Sequence, residues 1–116
     1  AGYLMNGGCS DDGFEYFRLW VISRGRKVYE AALANPDNLI DYIAEDAEVD
    51  FFEFELFWYA AIDAFEEATE ADLYDYIDDD NFTTREGNYP NFEFNWDEED
   101  PESMKKLCPR LFERFD

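Results

Sequence analysis

Apolar residues recur at helical spacing in the first third of the chain, which predicts helices there. Within residues 10–24, Phe14, Phe17 and Val21 occupy positions i, i+3 and i+7. Gly25 follows this pattern directly and is expected to end the helix, because glycine tolerates the backbone conformation found after a helix C-terminus. A shorter helix is predicted over residues 28–34.

The segment before the first helix has the residues of a turn followed by a helix cap. Gly7 and Gly8 predict a tight turn. Ser10 is expected to be the N-cap, accepting a hydrogen bond from a free N–H of the first helical turn. Asp11 and Asp12 then fall in that first turn, where the helix dipole favours negative charge.

A third helix is predicted after Asn35, with Asn35 as its cap and Pro36 and Asp37 in its first turn. The strongest helical periodicity then covers residues 50–69 and predicts a long, central helix. A short strand over residues 51–57 is the alternative, because the sequence alternates there with period two. The expected buried stripes are Leu39, Ile40 and Ile43 in the first of these two helices, and Phe54, Phe57, Trp58, Ala61, Phe65 and Ala68 in the second.

The last third is less regular. Residues 70–77 predict a short helix, residues 78–95 an irregular acidic loop rich in aromatic rings, and residues 101–107 and 109–115 one or two short helices. The rings of the loop either pin it to the core or offer a binding surface. The expected fold is therefore mainly α, a compact single-domain helical bundle spanning residues 1–116.

The uneven distribution of charge is the feature of the composition that says most about possible partners. The 116 residues carry a formal net charge of −21, and 20% of them are aromatic. Residues 1–34 hold four acidic and four basic residues, whereas residues 35–103 hold 24 acidic residues and one basic residue. A strongly negative surface repels nucleic acid and attracts a basic protein, although charge of this kind also serves solubility alone.

Residues 7–13 contain the predicted turn and helix cap, and we call this segment the opening turn. It is similar to the bacterial domain-of-unknown-function family DUF4240. The similarity continues through residues 1–6, 14–18, 20–26, 28–33, 35–39 and 109–115. The resemblance implies a shared fold and carries no activity. It also implies a further helical segment ahead of residue 1, so that a fragment of a longer protein is one hypothesis for this chain. The segment that carries the resemblance most specifically is Gly7-Gly8-Cys9-Ser10-Asp11-Asp12-Gly13.

Catalytic chemistry has few candidates in this sequence. The chain contains no histidine, which excludes imidazole bases and imidazole metal ligands. It also lacks a Gly-x-Gly-x-x-Gly loop and a Cys-x-x-Cys pair. No cofactor and no metal site are therefore predicted. An enzyme or small-ligand binder remains an alternative, and its candidate residues are Cys9, Ser10, Asp11, Asp12 and Arg18.

The hypothesis that fits the charge is a non-catalytic module that binds a basic protein, as an immunity protein or a nucleic-acid mimic does. Carboxylates of residues 46–80 and 97–100 would form the polar rim, and exposed rings would be the anchors. The two cysteines permit one disulfide, but free thiols are expected, and together with the lack of a long apolar run they favour the cytoplasm and no membrane contact. The partner-binding candidates are Glu66, Glu67, Glu70, Tyr74, Asp78, Asp79, Asp80, Tyr89 and Trp96.

Overall fold

Helices are the regular elements of the computed structural model, which describes residues 1–47, 52–77 and 93–116. No β-strand occurs in these three ranges, so the predicted mainly α fold is confirmed. The chain forms two units, one of residues Ala1–Phe57 and Asn95–Asp116 and the other of residues Trp58–Phe94. The α-helices are α1 (Gly2–Met5), α2 (Asp11–Ser23), α3 (Arg26–Ala34), α4 (Ala60–Thr69), α5 (Pro101–Leu107) and α6 (Pro109–Phe115), and three 3₁₀ helices cover Pro36–Tyr42, Glu55–Tyr59 and Leu73–Asp75.

The predicted caps set the ends of the helices in the first unit. The Ser10 hydroxyl accepts a hydrogen bond from the N–H of Gly13 at 3.1 Å, so Ser10 is the N-cap of α2. Gly25 has φ of +99°, which lets the backbone leave α2 and enter α3 without a connecting loop. Helix α3 therefore begins at Arg26, two residues earlier than the helix that the sequence predicts over residues 28–34.

Asn35 also caps as predicted, because its side chain accepts a hydrogen bond from the N–H of Asp37 at 3.1 Å. The turns that follow are 3₁₀ rather than α-helical. Leu39 and Ile43 are buried and Ile40 is partly buried, so the expected inner face of this segment is confirmed.

One hydrophobic core lies inside the first unit and draws on both ends of the chain. Aromatic rings pack at its centre: the ring centroids of Trp20 and Phe52 are 5.1 Å apart, and those of Phe52 and Phe115 are 5.7 Å apart. The predicted helices over residues 101–107 and 109–115 are confirmed, and they close this core from the C-terminal end. Its buried members are Leu4, Met5, Phe17, Trp20, Val21, Val28, Leu39, Ile43, Phe52, Met104, Cys108 and Leu111.

A buried carboxylate joins the two ends of the first unit. Asp37 is only 4% exposed, and its side chain accepts hydrogen bonds from the N–H groups of Arg110 and Leu111 at 3.1 and 2.9 Å. These are free donors of the first turn of α6, so Asp37 caps a helix that lies more than 70 residues away in sequence. The Arg110 guanidinium also pairs with the exposed carboxylate of Asp41.

The prediction of a long central helix over residues 50–69 is wrong. Residues 52–54 have no helical structure, residues 55–59 are 3₁₀, and only α4 is α-helical. Phe52 lies in the aromatic core, and the N–H of Phe54 donates to the carbonyl of Tyr16 at 3.1 Å, which ties this stretch to α2. No residue of Glu55–Tyr59 or α4 is buried, so the expected central stripe faces no core.

Candidate interaction surface

The described part of the second unit is a helical hairpin built around a left-handed turn. α4 ends at Thr69, and Glu70, with a φ of +55°, takes the chain out of the helix. The Thr69 hydroxyl donates to the carbonyl of Phe65 at 2.7 Å and accepts from the N–H of Ala71 at 3.2 Å, which fixes the turn. Asp72 then caps the 3₁₀ helix Leu73–Asp75. The predicted helix over residues 70–77 is thus shorter than expected.

Three carboxylates share one face of α4, and a fourth follows in its C-terminal turn. Asp63, Glu66 and Glu67 occupy positions i, i+3 and i+4, the spacing that places side chains on one side of a helix, and Glu70 is the C-cap residue directly after it. All four are exposed. We call this row the acidic stripe. Its members repel one another, because like charges at i and i+4 destabilise a helix, and carboxylates near a helix C-terminus oppose the dipole.

No basic residue offsets the acidic stripe inside residues 58–77. This range contains six acidic residues, all exposed, and neither lysine nor arginine. The stripe therefore presents concentrated negative charge without an internal counter-ion in the described part of this unit. A cation from outside the unit would relieve the repulsion.

Large aromatic rings are exposed in the same unit. Trp58, Tyr59, Tyr74 and Tyr76 each keep about half or more of their surface in contact with solvent. The rings of Phe65 and Tyr76 have centroids 5.6 Å apart, which packs Tyr76 against the helix that carries the stripe. Exposed tyrosine and tryptophan are the residue types that most often anchor protein interfaces.

The predicted partner-binding residues fall in three places. Glu66, Glu67, Glu70 and Tyr74 lie together in the second unit, exposed as expected. Trp96 belongs to the first unit, where it packs on the core with its ring centroid 5.6 Å from that of Tyr3, so it is pinned rather than displayed. The acidic residues 97–100 form an exposed turn of that same unit. The remaining candidates, Asp78, Asp79, Asp80 and Tyr89, lie outside the described residues.

Two further members of this surface, Asp63 and Trp58, are missing from the partner-binding candidates that the sequence analysis names. Asp63 extends the carboxylate row by one turn, and its i, i+3, i+4, i+7 relation to the later acids is visible in the sequence. The exposure of Trp58 has no such signal, because its spacing equals that of a buried helical position. Periodicity reports a helix face and not what covers that face.

The opening turn forms as predicted and is negatively charged. Gly7 and Gly8 have φ of +65° and +140°, the conformations that favour glycine. Asp11 and Asp12 are exposed in the first turn of α2. Glu53 also approaches, since a Cβ added to Gly13 would stand 3.6 Å from its Oε1 atom. Three carboxylates around a helix N-terminus occupy the place that an anionic ligand would need.

Cys9 is a poor nucleophile in this setting. Partial burial raises the pKa of its thiol, and the nearby Glu53 and Asp11 carboxylates raise that pKa further against the opposing effect of the N-terminal amine. Its Sγ atom donates to the carbonyl of Ser10 at 3.6 Å. Both Cys9 and Cys108 are free thiols, as predicted. At neutral pH the Cys9 thiol therefore stays protonated.

Arg18 does not join the other candidates of the predicted ligand set. It lies about 10 Å further along α2 than Asp11, at the rise of 1.5 Å per residue. Its guanidinium sits 5.7 Å from the centroid of the Phe14 ring, and the residue lines an apolar groove between α2 and α3. The turn and the groove are thus separate features of the first unit.

Two kinds of site are absent from the described ranges 1–47, 52–77 and 93–116. No group of three or more cysteine and acidic side chains is arranged to hold a metal ion there. No helix of these ranges is both long enough and apolar enough to cross a lipid bilayer.

Comparison with known proteins gives one match. A family model described as "Protein of unknown function (DUF4240)" matches residues 1–67, which include the opening turn, α2, α3 and most of α4. No curated protein and no solved structure shows significant similarity to the chain.

Proposed function

The chain belongs to the DUF4240 family, whose description names no activity, and we propose from its own surface that it is a non-catalytic module that binds a basic protein. The acidic stripe carries this proposal. Three exposed carboxylates lie on one face of α4 and a fourth, Glu70, follows at its C-cap, no cation lies within residues 58–77, and exposed rings lie in the same unit.

Electrostatics supports a basic partner specifically. A partner that brings lysine or arginine to the stripe removes the like-charge repulsion between Asp63 and Glu67 and between Glu66 and Glu70. Arginine also pairs with carboxylates in a bidentate manner, which adds orientation to attraction. A surface of one sign accelerates encounter with the opposite sign by about 10–10³-fold, and salt reduces this effect steeply.

The exposed rings supply apolar contact area, which carboxylates alone do not provide. Tyr74 and Tyr76 offer large, rigid contact areas with a hydrogen-bonding hydroxyl, and desolvated rings of this kind dominate the affinity of many interfaces. A surface needed only for solubility has no use for exposed rings between its carboxylates. The combination favours recognition over solubility.

We further propose a concrete form of this role. The module acts in the bacterial cytoplasm as an immunity-type protein, and its carboxylates occupy the positions that phosphates would take on a basic, nucleic-acid-binding protein. Catalysis at the opening turn has less support, because the raised pKa of Cys9 and the surrounding carboxylates disfavour a thiolate there.

Affinity capture tests the proposal. The tagged protein is incubated with lysate of the source organism at about 50 mM salt, and retained proteins are identified by mass spectrometry. Purified candidates are then titrated by calorimetry at rising salt concentration. We expect a partner with a high lysine and arginine content whose affinity falls at least about tenfold between 50 and 300 mM salt, because surface charge pairs are screened over this range.

A pair of triple variants separates the stripe from net charge. Glu66→Gln, Glu67→Gln and Glu70→Gln remove three charges from the stripe, while Glu30→Gln, Glu45→Gln and Glu113→Gln remove three exposed charges from the first unit. The stripe variant should bind the partner at least about tenfold more weakly than the control variant. Both variants have the same net charge, so this difference would come from the position of the charges and not from their number. Equal loss in the two variants, or an affinity independent of salt, would contradict the proposal.

A further inference from the structure

An apolar groove crosses the first unit between α2 and α3. Its volume is about 340 Å³, which lies within the range of about 300–1,000 Å³ typical of small-molecule sites. Buried side chains of Phe17, Val21 and Leu39 contribute to its lining. The groove is therefore an open side of the main hydrophobic core.

The rim of the groove is apolar and exposed. Phe14 and Ile22 on α2 and Tyr29 and Leu33 on α3 line it, and Leu33 is 69% exposed. Exposed apolar side chains that line a single groove are typical of a binding site for an apolar ligand or partner. They are also distinct from the rings of the second unit, so this feature is independent of the acidic stripe.

Arg18 gives the groove its chemical selectivity. It has the only charged side chain among the described residues that line the groove. No ion pair in the described part of the chain involves its guanidinium, which rests over the Phe14 ring at 5.7 Å. An arginine with free donors at the edge of an apolar site is suited to a carboxylate, which it binds through two parallel hydrogen bonds.

We propose that this groove binds a small monocarboxylate with an apolar body, such as a medium-chain alkanoate. The apolar tail would lie on Phe17, Val21 and Leu39, and the carboxylate would pair with Arg18. The charge distribution allows an anion here, because residues 1–34 have no net charge although the whole chain carries −21.

A second copy of the chain fits the groove less well. Phe14, Arg18 and Ile22 follow one another at intervals of four residues along α2. A two-fold contact centred on this row would place Arg18 against Arg18 of the other copy. Like charges brought together at the centre of an interface weaken it.

Three eight-carbon probes test the proposal by calorimetry: octanoate, 1-octanol and octylamine, each below its aggregation limit. We expect saturable binding in the order octanoate, octanol, octylammonium. The net charge of −21 alone predicts the reverse order for the two ions, so their ranking distinguishes the groove from general attraction. Amide resonance shifts on binding should fall at the start of the chain, beside Gly2, and within residues 14–39.

Matched variants locate the site. Arg18→Gln should weaken octanoate binding at least about tenfold and leave octanol binding unchanged, because hydrogen bonds to charged groups contribute factors of this order. Arg24→Gln is the control, since Arg24 is also exposed, caps the C-terminal end of α2 and has its guanidinium 5.7 Å from the centroid of a ring, that of Trp20. Leu33→Asn should weaken both ligands, whereas Leu56→Asn, at an exposed leucine outside the groove, should weaken neither.

Four results would overturn the proposal: no saturable octanoate binding, octylammonium binding as tightly as octanoate, equal effects of Arg18→Gln and Arg24→Gln, or a dimer that Leu33→Asn dissociates. The last result would identify a second copy as the occupant. None of these outcomes depends on the acidic stripe, so the two proposals fail separately.

Discussion

Replacing Asp37 tests how the ends of the first unit are held together. Its carboxylate is almost fully buried and satisfies the N–H groups of Arg110 and Leu111 in the first turn of α6. Asp37→Ala removes the acceptor and leaves both donors without a partner in a place that water reaches poorly. Asp37→Asn retains one acceptor oxygen without the charge.

The expected magnitude follows from these contacts. Loss of a helix cap costs about 0.5–2 kcal/mol, and hydrogen bonds to a charged acceptor are worth about 1.5–3 kcal/mol. The two donors share one carboxylate, so these contributions overlap rather than add. We expect Asp37→Ala to lower the free energy of unfolding by about 2–4 kcal/mol and Asp37→Asn by about 1–2 kcal/mol. A chain of this length should then lose roughly 10 °C in melting temperature in the alanine variant.

Urea unfolding followed by circular dichroism measures both variants, with Asp41→Ala as the control. Asp41 lies four residues later and pairs with the same arginine, but it is exposed, so its removal should cost much less. Its hydrogen bond with Arg110 lowers the pKa of Asp41. The pair therefore stabilises the fold above the ordinary carboxyl pKa of 3.8, and this contribution is lost as the pH falls from there through the lowered value. Equal destabilisation by Asp37→Ala and Asp41→Ala at neutral pH would refute the capping role.

Three further predictions concern the core, a turn and the thiols. Leu111→Ala, at a residue with no exposed surface, should lower the free energy of unfolding by about 2–5 kcal/mol, whereas Leu56→Ala, at 73% exposure, should change it by less than about 0.5 kcal/mol in the same urea assay. Gly25→Ala should cost about 1–3 kcal/mol through the backbone alone, because its φ is +99° and no atom would contact the new Cβ, so a neutral result would place this turn in another conformation. Burial raises the pKa of both thiols. A disulfide reagent at pH 7 should modify Cys9 slowly and Cys108 only on unfolding, and fast modification of Cys108 in the native protein would contradict its burial.

Local signals in the sequence predicted the helix ends well. The caps Ser10 and Asn35 and the break at Gly25 depend on contacts within a few residues, and each lies where the sequence predicts it. The two proline-initiated helices near the C-terminus are equally local. Capping energies depend on side chains that the sequence lists side by side, which explains why they could be found.

Burial was harder to predict, because it depends on what packs against a helix. The stretch 50–69 has the periodicity of a central helix, yet its first described residues are not helical and no residue of α4 is fully buried. The role of Asp37 was invisible for the same reason, since its partners lie more than 70 residues away. The acidic stripe was found in part from Glu66, Glu67 and Glu70, whereas the groove beside Arg18 emerges only when α2 and α3 are placed side by side.

The position of α6 in the core has a consequence for biosynthesis. Leu111 and Cys108 are among its most deeply enclosed side chains, and they are synthesised about 70 residues after Leu39. Before that point Met5 and Leu39 lack their final neighbours, so the core of the first unit is completed only when residues 108–111 have left the ribosome. A nascent chain halted before residue 109 would expose the apolar surface that α6 normally covers, and chaperones or proteases would bind it as an incompletely folded protein.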